Sequence, residues 1–182
     1  GIRGRLRLLL QKNKLKTIEA VITISETSKR DIVRLLDIPE EKIYPIHPAP
    51  SRQFKMIPKD ALIHMDVSEK YKLPEKFVLY VGDVNYNKNI KNLIIAFSKT
   101  RENDKEMSLV LVGKAFRDDI PETKEILELI TDLGLQKQII ITGFVPEDDL
   151  VKIYNLATVY CQPSLYEGFG LPVLEAMACG TP

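Results

Sequence analysis

From Phe77 onward, short β-branched and aliphatic runs alternate with stretches in which apolar side chains recur every three or four positions. A brief unbroken apolar run closed by glycine reads as a strand buried on both faces, and the three-four spacing reads as a helix with one buried face. "FVLYVG" predicts the first strand. The turn "NYNKN" follows it, then a helix carrying Ile90, Leu93, Ile94 and Phe97, with Asn89 placed to cap. "SLVLVG" predicts the second strand, followed by a helix that starts near Pro121, shows Ile126, Leu129, Ile130 and Leu133 on one face and stops at Gly134. The third unit is "QIIITG" with Leu150, Ile153, Tyr154 and Ala157. In the fourth, the strand "TVYCQP" leads through a glycine-rich turn into a helix from about Leu171 to Cys179. Consecutive strand-helix units with short connections predict an α/β fold built on a doubly wound parallel sheet, since a closed barrel would need eight strands.

Upstream of Phe77 the pattern changes. "EAVITIS" predicts one more strand, and Ser25 or Ser28 caps a helix carrying Ile32, Leu35 and Leu36. Pro39, Pro45, Pro48 and Pro50 then crowd a stretch that no regular element tolerates well. The expected organisation is a remnant of a first domain over residues 1–38, a connector over 39–76 and a second, incomplete domain over 77–182. At the amino end Arg3, Arg5, Arg7, Lys12, Lys14 and Lys16 occur with no acid among them, and Leu6, Leu9 and Leu10 give a weak apolar face. A solvated helix packed on a missing domain is the favoured expectation for this stretch, and peripheral contact with an anionic membrane is the alternative.

The chain has 182 residues, 45% of them hydrophobic and 28% charged, with a formal net charge of +1. That balance gives no global drive toward nucleic acid, and no basic stripe interleaved with aromatics adds a local one. Cys161 and Cys179 lie in apolar surroundings without zinc or disulfide spacing, which predicts two buried thiols in a reducing compartment. No run approaches the roughly 18 apolar residues of a membrane span, and the first residues lack a signal-peptide layout. A cytoplasmic location is expected. Asp118, Asp119, Asp148 and Asp149 read as helix N-terminal acids, and no metal-ligand cluster is visible. His47 and His64 fall in or near the connector and read as satisfied or solvated side chains.

The chemistry concentrates in "PSLYEGFGLPVLEAMACGTP", Pro163 to Pro182. Ligands of open α/β sheets sit beyond the carboxyl ends of the strands, and this loop is one that gathers there. Gly168 and Gly170 let the backbone approach a ligand, and Pro172 suits the first turn of a helix whose free N–H groups carry roughly +0.5 of a charge, an anion site suited to phosphate. Glu167 and Glu175 flank that cradle. A carboxylate beside phosphate would repel it, so both acids are better placed to accept hydrogen bonds from hydroxyls at the two ends of a ligand with a central diphosphate. A nucleotide sugar has that layout.

These residues resemble the signature of family 4 (group 1) retaining glycosyltransferases of the GT-B fold, in which two glutamates are separated by seven residues, as Glu167 and Glu175 are. "AVITISETSKRDI" resembles the last strand and helix of the family's N-terminal acceptor domain. "YPIHPAPSRQF" resembles the interdomain crossing, and "LYVGDVNYNKNIKNLIIAF" the first Rossmann-like donor-domain unit. The resemblance implies transfer of a hexose from a nucleoside diphosphate sugar to a glycan or lipid-linked acceptor, with retention at the anomeric carbon, in polysaccharide biosynthesis and without a bound metal or other cofactor. It implies that Glu167 sits by the donor sugar and that Lys88 neutralises charge growing on the leaving diphosphate. Glu175 would hold the ribose, and the backbone of Gly168, Phe169, Gly170 and Leu171 the diphosphate. Phe144 and Val145 would contact the base, with Gly82 bordering the donor. Many members place an arginine after that glycine; Asp83 stands here, which leaves the contact to Asn85, Asn87 or a main-chain amide, or leaves the donor weakly held. The resemblance also implies an excised fragment, inactive alone, with most of the acceptor domain missing. The alternatives are a non-catalytic nucleotide-binding or scaffold module of the same fold, and a dinucleotide-binding oxidoreductase; the latter requires a third glycine that neither Gly82 nor Gly168-x-Gly170 has.

Overall fold

A computed structural model describes residue 15 and residues 17–58, 65–101 and 104–182. The basic positions Arg3 to Lys16, the apolar face of Leu6, Leu9 and Leu10, and His64 lie outside the described residues. The chain divides into two compact units, one comprising residues 1–49 with Gly168–Gly170 and the other Pro50–Glu167 with Leu171–Pro182.

In the first unit, β1 (Val21–Thr23) pairs in parallel with β2 (Ile43–Pro45), Val21 opposite Ile43 and Thr23 opposite Pro45. Helix α1 (Glu26–Leu36) crosses between them. Of the two candidate caps, Ser25 does the work: its Oγ accepts the Ser28 N–H at 2.9 Å. The stretch expected as a connector holds β2, because Pro45 ends the strand, where a missing N–H costs least, and Ile46 N–H continues the ladder to Thr23 O at 2.7 Å. The expected apolar face of α1 is not buried among the described residues, and Leu35 is 59% exposed, since a two-stranded sheet is too narrow to cover it.

The second unit is a parallel sheet of β3 (Phe77–Val81), β4 (Ser108–Val112), β5 (Ile139–Gly143) and β6 (Val159–Tyr160) in the order β5-β4-β3-β6. Its helices are α2 (Met65–Tyr71), α3 (Ile90–Thr100), α4 (Pro121–Asp132), α5 (Glu147–Leu156) and α6 (Leu171–Ala178). Alternation along the strands feeds two cores. Tyr80, Leu109 and Leu111 pack with Ile94 and Phe97 of α3 and Ile126 and Ile130 of α4 on one face. Phe77, Leu79, Val110 and Val112 pack on the other with Val67 of α2, Ile153 and Tyr154 of α5 and Ala176 of α6. Both faces are therefore covered, as the unbroken apolar strands require. The doubly wound α/β fold read from the sequence is the fold observed. The described residues of the stretch 50–76 join this unit, through Phe54, Val67 and the Asn155 side chain, which accepts Ile57 N–H at 2.7 Å and donates to Lys55 O at 3.0 Å. Cys179 is buried, with its thiol pushed up to about 11 by burial, whereas Cys161 is only partly buried because it lies past the end of β6.

Where β3 and β4 end, the backbones come close. A Cβ on Gly113 would stand 2.0 Å from Gly82 O, and Gly82 N–H donates to Val112 O at 2.9 Å. Only glycine fits there, so the two strand-end loops leave the sheet side by side.

Candidate functional site

The sheet winds outward from β3 through β4 to β5, then reverses to place β6 on the free side of β3. Such a reversal separates the following loops and opens a crevice at the carboxyl ends of the two strands. Two main contacts join these loops: Leu165 N–H donates to Asn87 O at 2.8 Å, and the Asn89 amide donates to Pro163 O at 3.0 Å. Asn89 does not cap α3 with its side chain as the sequence led us to expect. It takes a left-handed conformation (φ 55°), and its side chain is used to tie the loops.

At this tie the structure brings together Lys88, on a short 3-10 turn (Tyr86–Lys88), and Glu167: Nζ donates to Oε1 at 2.7 Å. The same Oε1 accepts Gln162 Nε2 at 2.6 Å and Ser164 Oγ at 2.7 Å. Burial alone would raise the Glu167 pKa, but hydrogen bonds from Lys88 and Ser164, the Lys88 charge and the Gln162 amide together outweigh it and hold the carboxyl below the usual range. Three donors converge on one oxygen, Oε1. Gln162 is itself fixed by a hydrogen bond from the Tyr160 hydroxyl, which burial keeps protonated. Neither Gln162 nor Ser164 stood out in the sequence. The available signal was two polar residues within four positions of the end of a partly buried strand, five and three positions ahead of the glutamate.

Glu175 lies in the middle of α6, where its Oε2 accepts the Tyr154 hydroxyl at 2.9 Å. Burial, with a smaller push from Glu147, raises its pKa against the Tyr154 hydrogen bond. Tyr154 is fully buried, and burial holds its hydroxyl protonated, so it serves as a fixed donor from α5. Glu175, Leu171, Val145 and Phe144 line one cavity of about 420 Å³ with Phe54 and Leu150. Val145 is buried, and Phe144 is 71% exposed. A half-buried acceptor held at an apolar wall suits a ligand with an aromatic part and a hydroxyl pair.

The loop tip Gly168–Gly170 groups with the first unit, where the Phe169 ring stands 5.6 Å from that of His47. Gly170 requires glycine, at φ 90°. Gly168 does not, since an added Cβ would make only ordinary contacts at 3.5 Å. Gly82 spends its N–H inside the sheet. Asp83 closes its own turn: its Oδ1 accepts Val84 N–H at 2.9 Å, and its carbonyl accepts the Tyr80 hydroxyl at 3.0 Å. Of the acids expected at helix N-termini, Asp148 and Asp149 lie in the first turn of α5, Asp149 accepting from Lys70 at 2.7 Å and Tyr71 at 2.9 Å, whereas Asp118 and Asp119 lie ahead of α4, whose first-turn acid is Glu122. Among the described residues no group of three His, Cys, Asp or Glu side chains is arranged to hold a metal, and no helix is long and apolar enough to cross a membrane.

Together these features make a doubly wound α/β domain with an ion pair at its switch point and a second carboxylate on the helix that follows the glycine-rich loop. Residues 65–182 match the family described as glycosyl transferases group 1. The chain belongs to that family. The serotype-specific mannosyltransferase WbdA of Escherichia coli is 36% identical over 173 residues, covering 92% of this chain and 21% of that protein. The O-antigen chain mannosyltransferase B of the same species is 33% identical over 171 residues, covering 92% of this chain and 43% of its own. The chain thus spans from about a fifth to less than half of these relatives. Among solved structures, sucrose-phosphate synthase from Thermosynechococcus elongatus superposes with a TM-score of 0.76 at 28% identity, over 98% of this chain and 43% of that one. The Anabaena protein HepE, solved with UDP-glucose, gives 0.78 at 22% identity over 96% and 47%.

Proposed function

We propose that this chain forms the donor-binding part of a retaining glycosyltransferase that moves a hexose from a nucleoside diphosphate sugar to a glycan or lipid-linked acceptor. The observation that carries the reading is the Lys88–Glu167 pair at 2.7 Å across the two switch-point loops. An ammonium has three N–H donors, so Lys88 can keep Glu167 and still donate to the diphosphate. There it stabilises the charge that grows as the bond to the anomeric carbon breaks. Glu167 presents Oε2 to the donor sugar. Glu175, held by Tyr154, accepts from the ribose, and the base lies against Phe144 and Val145. Backbone N–H groups from Gly168 to Leu171 take the diphosphate, and the reading calls for no metal. The mannosyltransferase names of the relatives support a hexose, and the UDP-glucose bound by HepE supports a nucleoside diphosphate carrier.

The test is a calorimetric titration of the complete protein with UDP, GDP and ADP, repeated for the best binder with Glu175→Ala and Lys88→Ala. Binding of one nucleotide, weakened at least tenfold by each change, supports the donor site. If none of the three binds at millimolar concentration, the non-catalytic scaffold reading takes its place.

A further inference from the structure

A second and larger cavity, about 620 Å³, opens beside the ion pair, between the start of α3 and the start of α4. Its size is within the range of small-molecule sites. The floor is buried apolar surface, Val84, Ile90 and Ile126. On the rim the Tyr86 ring is 80% exposed and Leu165 56%. Part of the polar lining is unspent: Asn89 and Asn92 are hydrogen-bonded, whereas the side chains of Asn85, Tyr86 and Glu122 make no hydrogen bond or ion pair among the described residues. Lys91, the cation of the lining, is paired with Glu125.

The charge decides the ligand class. With Lys91 neutralised by Glu125, Glu122 leaves the lining negative, which disfavours phosphates, nucleotides and carboxylates. A large exposed aromatic ring flanked by a free amide and a free carboxylate matches a neutral polyhydroxyl with apolar C–H faces. The ring covers one face and the polar groups meet the hydroxyls. The location narrows it further. Tyr86 is on the same 3-10 turn as Lys88, and Leu165 is on the Glu167 loop, its N–H bound to Asn87 O at 2.8 Å. A ligand seated here touches both loops that hold the ion pair.

We infer that this cavity binds a neutral saccharide segment, the non-reacting sugars of a glycan acceptor, and so holds the acceptor from the donor-domain side. The inference rests on the function proposed above and adds the acceptor class. It is tested on the complete protein by saturation-transfer NMR with mannotriose, maltotriose and chitotriose, alongside the nucleotide titration, for the wild type and for Tyr86→Ala and Glu122→Ala. Both substitutions are at exposed positions, and neither disturbs a described hydrogen bond. The expected result is binding of at least one trisaccharide, weakened about tenfold by Tyr86→Ala and severalfold by Glu122→Ala, with nucleotide affinity unchanged. Binding of nucleotide but of no trisaccharide overturns the inference and leaves the donor site standing. Trisaccharide binding indifferent to both substitutions overturns it as well, and loss of nucleotide binding in the wild type sinks the underlying reading instead.

Discussion

Replacing Lys88 by methionine removes the charge and keeps the apolar stem, and the structure gives separate expectations for stability and for turnover. The Lys88 and Glu167 side chains are 20% and 27% exposed, so the pair lies between the exposed and the buried limits. Exposed pairs are worth about 0–1 kcal/mol, and orphaning a buried partner costs about 3–5 kcal/mol. Glu167 is not orphaned, because Gln162 and Ser164 still donate to the same oxygen at 2.6 and 2.7 Å. The expected loss is therefore near the lower limit, about 1 kcal/mol, or roughly 2–4 °C in melting temperature for a domain of this size. Turnover is a different matter, since removing one charge aimed at the leaving group costs about a hundredfold or more in kcat. The assay is sugar transfer by the complete protein under saturating donor, with a thermal melt on the same preparation. The pH profile adds a check. Glu167 has a lowered pKa, so its contribution to stability is present above the ordinary carboxylate pKa and lost as pH falls through the depressed value. Without Lys88 that acid-side loss moves to higher pH. A variant that keeps transfer within tenfold of wild type refutes the assignment of Lys88, and a melt lowered by more than about 10 °C shows that the ion pair is structural.

Further outcomes follow from the same geometry. Glu175 has a raised pKa, so its contribution to stability is present below the ordinary carboxylate value and lost as pH rises through the raised one. Glu175→Gln should therefore raise stability at neutral pH by about 0.5–2 kcal/mol, read as a higher melting temperature, while weakening nucleotide binding; equal melts at neutral pH would contradict the burial argument. Tyr154→Phe leaves the carboxylate without its donor at 2.9 Å and should weaken nucleotide binding about tenfold by calorimetry, with the far-ultraviolet spectrum unchanged. Gly113→Ala forces a Cβ against Gly82 O and should cost about 3 kcal/mol or more in urea denaturation.

How far the sequence could be read depended on what each residue type advertises. The strands of the second unit announced themselves because a sheet covered on both faces needs unbroken apolar runs, as in Leu109–Val112. The two glutamates and Lys88 were visible through spacing in a matching frame. Their partners were not. Tyr154 occupies a core position where phenylalanine would pack as well, so nothing local distinguishes its hydroxyl, which points at α6. Gln162 and Ser164 looked like loop polarity, because convergence on one oxygen is a three-dimensional fact. Strand β2 was hidden by Pro45, whose position at the strand end cannot be read from composition.

The strand order also has a consequence for how the site comes into being. Strands β3, β4 and β5 pair with neighbours one unit apart, whereas β6 must return across both later units to reach β3, and the ion pair spans 79 residues. Contacts of such long sequence separation are slow to form, because loop closure comes before the pairing that rewards it. During synthesis a chain finished through β5 already has most of its sheet and still lacks the acid that faces Lys88. The ion-pair geometry is then the last thing to appear, and its arrival reports that the parallel sheet has closed in the right order.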